Sequence, residues 1–198
     1  MASILKVDKI RGTGLDSDSL SIDGSGNIST IKTFSAPGHI LQIVHAGNNT
    51  TLASNATNTW FKYLEATITP SSSTSKIFLQ HTVWYGGNSN GYGAGRVTRT
   101  ISGGSEVDLR YGNAGLTDTR FTDASFPMPV YASEHYKIYN ANFTFEDTPS
   151  TTTAITYKCY VKEDGAGTDM VINRSYSNPG DGYNSPCGTT IQLMEIAQ

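Results

Sequence analysis

The chain is poor in charge and in long apolar runs. Only 16% of its 198 residues are charged, the formal net charge is −3, and Lys and Arg do not cluster, so no basic surface is offered to nucleic acid or to an anionic membrane. No stretch approaches the roughly 18 consecutive apolar residues of a membrane span, and the N-terminal residues lack the apolar core of a signal peptide. We expect no nucleic-acid partner and no membrane insertion.

Cysteine is also scarce. Cys159 and Cys187 are too few for a disulfide framework or a cysteine-based zinc site, and whether they pair is open. No metal-ligand spacing connects the four histidines, His39, His45, His81 and His135. His81 lies on the apolar face of a predicted strand, which favours a hydrogen-bonded core histidine. We expect no metal and no cofactor.

The chain is rich in small polar residues and in aromatic residues. Ser, Thr, Asn and Gly make up 79 of the 198 residues, beside 11 Tyr, 7 Phe and 2 Trp, a composition typical of folded chains with many strands and turns. Apolar residues recur at period two, as at Ile155, Tyr157 and Cys159, and no long segment has a helical period. About eight to ten short strands predict an all-β fold, an antiparallel β-sandwich that is jelly-roll-like.

The first 37 residues form a separate region with little apolar surface. Within them, residues 19–30 predict a short β-hairpin, which is marginal in water by itself. Copies from other subunits would cover its apolar edge, so we interpret residues 1–37 as an attachment or stem segment and 38–198 as the β-sandwich domain. The predicted assembly contacts are the apolar residues Ile4, Leu5, Val7, Ile10, Leu20, Ile22 and Ile28.

The strand that opens the second domain, residues 38–45 (GHILQIVH), is apolar on both faces. That pattern is typical of a strand at the centre of a sheet or covered on both sides. We therefore expect it in the interior.

Catalytic motifs fail on their context. Residues 87–91 (GNSNG) match the G-x-S-x-G nucleophile elbow, and Asp118 or Asp123 and then His135 follow in hydrolase order. The elbow requires a helix after the serine, and the glycines of residues 91–95 cannot support one. We expect no enzymatic activity.

Two predicted loops, 86–95 and 173–187, carry aromatic and amide side chains suited to recognition. Aromatic rings stack on sugar rings, and amides hydrogen-bond to hydroxyl groups, so these loops predict contact with a receptor or saccharide. The alternative is that the aromatics pack at a subunit interface or cap the sandwich. The candidate contact residues are Trp84, Tyr85, Asn88, Asn90, Tyr92, Arg96, Tyr176 and Tyr183.

Five stretches together resemble small tail-fibre-like or appendage virion proteins of marine and cyanobacterial phages. They are residues 1–12 (MASILKVDKIRG), 20–28 (LSIDGSGNI), 38–44 (GHILQIV), 64–77 (LEATITPSSSTSKI) and 191–196 (IQLMEI). The resemblance covers both ends and the first half of the sandwich, and it contains no catalytic residue. It implies a homotrimer whose N-terminal segment attaches to the particle or forms a stem, with the C-terminal β domain outermost.

From this resemblance we expect a subunit of a homotrimeric tail fibre or fibre-like appendage that contacts the host surface. Its expected partners are its own copies, other virion proteins through the N-terminal segment, and a host surface glycan or protein. The chain would be made in the host cytoplasm and displayed on the exterior of the virion. The alternative is a capsid decoration or head-fibre protein that stabilises the particle without binding a receptor.

Overall fold

A computed structural model describes residues 9–10, 20–22, 24–25, 27–30, 37–54, 59–88, 91–110, 122–130, 136–164, 170–177 and 187–198. These residues contain strands and no helix, which confirms the all-β prediction, and accordingly none of them forms a helix that could span a membrane. The strands are β1 (Lys9–Ile10), β2 (Leu20–Ile22), β3 (Ile28–Thr30), β4 (Ile40–Asn48), β5 (Leu52–Ser54), β6 (Phe61–Ile68), β7 (Lys76–Gly87), β8 (Gly91–Ile101), β9 (Glu106–Leu109), β10 (Phe126–Val130), β11 (Tyr139–Asp147), β12 (Ile155–Asp164), β13 (Met170–Ile172) and β14 (Thr189–Ile196).

The chain divides into two compact units, Met1–Pro37 and Gly38–Gln198. In the first unit β2 and β3 pair antiparallel, with Ile22 opposite Ile28, so the predicted hairpin is confirmed, and β1 adds a third strand beside β2. Of the predicted assembly residues, Ile10, Leu20, Ile22 and Ile28 belong to these strands, whereas Ile4, Leu5 and Val7 lie outside the described residues.

The second unit is a sandwich of two antiparallel sheets. The six-stranded sheet has the order β4-β14-β7-β13-β5, with β11 on the opposite edge of β7 from β14. The five-stranded sheet has the order β10-β8-β12-β6, and β9 pairs with the same edge of β8 as β10 does. Successive strands alternate between the sheets except for β4 and β5, for β8 to β10, and for β13 and β14, so most neighbours in each sheet are distant in sequence.

The strand order is that of a jelly roll. In three cases two consecutive strands act as one interrupted strand, namely β4 with β5, β9 with β10, and β13 with β14. Counted in this way, the eight described strands pair first with eighth, second with seventh, third with sixth and fourth with fifth. This is a long antiparallel ribbon rolled into two sheets, the arrangement of the double-sheet jelly roll.

The core lies between the sheets and follows the period-two pattern of the sequence. Along β12, Ile155, Tyr157, Cys159 and Val161 are fully buried, while the residues between them are partly exposed. Ile77, Leu79 and Val83 of β7 meet them from the other sheet. Both cysteines are free, and Cys159 is the small buried residue that its strand position predicts.

The first strand of the sandwich occupies a position different from the predicted one. Within the described residues β4 pairs with β14 alone, so it is an edge strand, and Ile40 and Ile43 are 50% and 53% exposed. Apolar residues on both faces therefore do not mark an interior strand here. Paired hydrogen bonds close this edge strand against the end of the chain, from the Gly38 amide to the Ala197 carbonyl and from the Ala197 amide to the His39 carbonyl, both 2.8 Å.

The glycine-rich segment 86–95 is mostly strand, which corrects the prediction of a loop. β7 continues to Gly87 and β8 begins at Gly91. A side chain at Gly93 would collide with Met170, and one at Gly95 would collide with the ring of Phe126. The glycines are needed because neighbouring side chains pack directly on the backbone.

A buried polar cluster joins the two sheets. Asp147 at the end of β11 accepts a hydrogen bond of 2.7 Å from the Tyr157 hydroxyl and forms an ion pair of 2.6 Å with Arg99. The side chains of Asp147 and Arg99 are 6% and 19% exposed. Burial is the main reason why the pKa of Tyr157 is raised, so the phenol stays protonated and donates to the carboxylate.

His81 is the hydrogen-bonded core histidine that the sequence predicts. It is 2% exposed, with Nε2 at 2.7 Å from the Tyr63 hydroxyl and Nδ1 at 2.8 Å from the Thr190 carbonyl. Burial lowers the pKa of His81 from 6.5 to about 4, although the Thr190 carbonyl opposes the shift. In the neutral ring Nδ1–H donates to that carbonyl and Nε2 accepts from the phenol.

Because burial lowers the pKa of His81, we expect the protein to lose stability in mild acid. The pKa is lower in the folded state than in the unfolded state, so the stabilising contribution is complete above pH 6.5 and falls as the pH drops from 6.5 towards 4. Between pH 7 and pH 5 the free energy of unfolding should fall by about 2 kcal/mol through His81. Urea unfolding of wild type and His81→Gln at both values measures it, and a His81 ring that titrates near 6.5 in the folded protein would contradict it.

Candidate binding surface

The predicted contact residues do not form one surface. Trp84 lies on the outer face of the six-stranded sheet and is 36% exposed, and the described Asn88 follows the end of β7. Tyr85 points the other way: it is 3% exposed, its ring stacks on Tyr139 with centroids 5.6 Å apart, and its hydroxyl donates to the Pro129 carbonyl at 3.3 Å. The prediction of ligand contact is therefore wrong for Tyr85.

Arg96 lies on the outer face of the other sheet and is occupied by internal contacts. Its guanidinium forms an ion pair of 2.6 Å with Asp108 and lies 5.7 Å from the ring centroids of both Trp60 and Tyr160. Such contacts with aromatic faces stabilise a half-buried cation. Arg96 thus fastens the segments around β8 and is separated from Trp84 by the whole thickness of the sandwich.

The remaining candidates belong to segments that are described in part. The backbone of Tyr92 is in β8 opposite Pro129, while Asn90 and Tyr183 lie outside the described residues. Tyr176 is half-buried, and its carbonyl accepts a hydrogen bond of 3.0 Å from Arg174. The two predicted segments do meet: a side chain at Gly86 would come within 2.8 Å of the Arg174 carbonyl.

A polar surface that the loop prediction missed covers the outer face of the six-stranded sheet. Cross-strand register places outward residues of β4, β14, β7 and β11 in rows. One row is His45, Gln192, Gln80 and Thr144, and the next is Gly47, Thr190, Thr82 and Asn142. All of them except Gly47 line an open depression of about 370 Å³, here called the polar concavity, to which the buried His81 of β7 also contributes. Its lining residues are His45, Gln80, His81, Thr82, Asn142, Thr144, Thr190 and Gln192.

Part of the polar concavity is held in place by its own hydrogen bonds. The Thr82 hydroxyl donates to Asn142 at 2.8 Å, and the Asn142 amide donates to Asn140 at 2.7 Å. The Asn140 amide in turn donates to the Val83 carbonyl at 3.2 Å. This chain fixes the orientation of each amide along β11, so the surface is ordered before any ligand arrives.

The other part offers hydrogen-bonding groups to solvent. Within the described residues, the side chains of Gln80, Gln192 and Thr144 make no hydrogen bond, and Gln80 and Thr144 are exposed. Gly47, opposite Thr190, adds no side chain beside His45. The lining holds no carboxylate, amine or guanidinium.

The polar concavity has different neighbours at its two ends. Trp84 and Asn140 form the next row at one end. At the other end the next row contains Ile43, Met194 and Phe78 and ends at Glu146 of β11, which forms an ion pair of 2.7 Å with Lys76. No group of three His, Cys, Asp or Glu side chains suited to a metal ion occurs in the part of the chain that is described.

The sequence predicts one component of this surface, the polar stripe of a single strand, but not how the strands lie together. The outward residues of β7, namely Gln80, Thr82 and Trp84, alternate with core residues, so a solvent-facing polar stripe is predictable. The neighbouring strands β14 and β4 come from the two ends of the sandwich domain, and a single sequence does not give their register. The concavity arises only when the four stripes lie side by side.

No family model matches this chain. No curated protein matches it either. Among solved structures, the chain is similar to a chain in the structure of infectious bursal disease virus Gx strain, with 11% identity and a TM-score of 0.42 over 96% of this chain and 42% of that chain. It is also similar to the VP2 subviral particle of infectious bursal disease virus, with 13% identity and a TM-score of 0.41 over 96% of this chain and 43% of that chain. The chain thus spans less than half the length of these proteins, and TM-scores of this size transfer no function.

Proposed function

We propose that this chain is a non-enzymatic structural protein of a bacteriophage virion, one subunit of a homotrimeric tail fibre or fibre-like appendage that contacts the host surface. The observation that carries the proposal is the two-part build, a minimal N-terminal sheet joined to a jelly roll. Among the described residues of this segment, the strands of that sheet are two or three residues long. So small a sheet is marginal in water, and copies from other subunits supply the missing partner surface.

The edge of the sandwich supports assembly from identical subunits. β4 contains no charged residue and no proline, its ladder with β14 is irregular only at Leu41 near its first residue, and it exposes Ile40 and Ile43. Edge strands of monomeric proteins are usually blunted by charge, proline or a bulge, because an open edge pairs with other chains. In the proposed particle a second copy of this chain covers that edge.

The phage assignment rests on the resemblance of the five stretches, which also supplies the number three for the oligomer. In this proposal residues 1–37 bind other virion proteins, and the jelly roll is displayed on the particle exterior. The jelly roll itself is used by proteins of many functions, so it is compatible with this role without selecting it.

Two measurements test the proposal. Native mass spectrometry of the full chain should give three times the chain mass of 21.3 kDa, and immunogold labelling of intact particles should mark the tail or another fibre-like projection. A monomer at micromolar concentration would contradict the oligomer. Labelling spread evenly over the capsid would favour the decoration protein instead.

The non-enzymatic part has its own test. Incubation of the purified chain with host polysaccharide should leave the polymer length unchanged, as measured by size-exclusion chromatography. Shortening of the polymer would overturn this part of the proposal and indicate a depolymerase.

A further inference from the structure

We infer that the polar concavity on the outer face of the six-stranded sheet binds a neutral oligosaccharide. This inference deepens the proposed function, because it names the chemistry of the host contact and moves the contact from the predicted loops to a sheet face. The inference rests on the proposed function only for the biological role of the binding, since binding can be measured on the purified chain alone.

The hydrogen-bonding inventory points to a ligand rich in hydroxyl groups. Gln80 and Gln192 lie opposite each other on β7 and β14, and each amide carries both a donor and an acceptor. Thr144 lies opposite Gln80 on its other side. A sugar hydroxyl also donates and accepts, so adjacent amides and hydroxyls can each bind it without leaving a polar group unpaired.

The charge of the lining excludes other ligand classes. Nucleic acid and acidic polysaccharides require Lys or Arg opposite their anionic groups, and the lining has neither. A protein partner is usually held by a central apolar cluster, whereas the central row of this surface consists of an imidazole, two amides and a hydroxyl, and the apolar side chains are in the neighbouring row. A neutral polyhydroxylated ligand remains as the class that matches the amides of Gln80 and Gln192 and the hydroxyl of Thr144.

The shape fits an extended ligand. Four strands lie side by side, so one row spans about 14 Å between its outer strands, three times the usual strand spacing. The depression of about 370 Å³ is near the lower end of the range for small-molecule sites. It is open to solvent, so a bound sugar chain need not be enclosed by it.

Trp84 supplies the aromatic surface that sugar binding generally uses. It is in the row next to Thr82 on β7 and is 36% exposed. Its partner across the strand, Asn140, belongs to the hydrogen-bonded chain described above. A sugar ring that leaves the concavity at this end can stack on the indole while its hydroxyls contact the amide.

The test compares neutral and acidic polymers on the intact chain. Wild type and variants are titrated with tetrasaccharides of glucose, mannose and galactose, with a galacturonate tetramer and with an acetylated dodecapeptide, and intrinsic Trp fluorescence and calorimetry report binding. We expect binding to at least one neutral tetrasaccharide. Gln80→Ala combined with Gln192→Ala should weaken it at least about tenfold, because two hydrogen bonds are lost.

The control variant also removes a glutamine side chain, but at a position distant from the concavity. Gln198→Ala removes an exposed glutamine away from the concavity and should leave affinity unchanged, and matching circular dichroism melts ensure that all variants are folded. Binding to no neutral sugar of the panel, binding to galacturonate or peptide alone, or equal affinity of the double variant would overturn the inference. Particle labelling and mass spectrometry decide the proposed function separately, so either can fail while the other stands.

Discussion

Asp147→Ala is expected to lower the free energy of unfolding by about 3–5 kcal/mol, the usual cost of removing one partner from a buried ion pair. The carboxylate is the common acceptor of Arg99 and Tyr157, at 2.6 and 2.7 Å. Without it a guanidinium that is only 19% exposed loses its counter-charge, and a buried phenol loses its acceptor. Urea unfolding at pH 7 measures the change.

The adjacent residue provides the matched control. Glu146 also forms an ion pair, with Lys76 at 2.7 Å, but its side chain is on the outer face of the strand and 48% exposed. Exposed pairs contribute about 0–1 kcal/mol, so Glu146→Ala should remain within that range. Equal effects at the two positions would show that burial of Asp147 does not determine its contribution.

Gly95→Ala should destabilise the sandwich by about 3 kcal/mol, at the upper end of the cost of overpacking. The added methyl group would coincide with the ring of Phe126, which is 7% exposed and belongs to the core. The ring has little room to turn aside, because it contacts the rings of Phe143 and His81 at centroid distances of 5.7 and 5.9 Å, and Phe126 is paired with Gly95 itself. The midpoint of thermal unfolding should fall accordingly.

Gly47→Ala is the control for this substitution. It lies in a strand too, but its added methyl group would meet the nearest atom, the Thr189 carbonyl oxygen, at an ordinary contact distance of 3.6 Å. We expect a change within about 0.5 kcal/mol, as for a surface substitution. If Gly95→Ala is as mild, the glycines of segment 86–95 serve loop flexibility and the packing explanation fails.

The sequence predicts where the strands of this fold lie better than it predicts which strands pair with each other. Alternation along β12 correctly identifies Ile155, Tyr157 and Cys159 as core, because burial on one face of a strand is a local property. The position of β4 at an edge is not local. The edge position of β4 depends on its pairing with β14, about 150 residues later in the sequence. The apolar pattern of β4 would be the same if a second strand paired with its other side.

The candidate site shows the same limit. Glycine density at 86–95 indicated a loop, but Met170 and Phe126 come from distant segments, and only their approach explains the missing side chains. Tyr85 and Trp84 are neighbours in sequence, and the pleat alone sends one ring into the core and the other to solvent. A loop assignment lets both face a ligand, whereas a strand assignment allows only one.

The hydrogen bonds between Gly38 and Ala197 have a mechanical consequence. Because the first strand of the roll pairs with the last, tension that enters through the segment before Gly38 acts along the β4–β14 ladder, which runs from Ile40–Ile196 to Asn48–Thr189. If the opposing force acts at the polar concavity, the ladder is loaded in shear, and its hydrogen bonds resist together. Tension between Gly38 and Ala197 would instead open the same ladder one pair at a time, so this domain should be far stronger in one pulling direction than in the other.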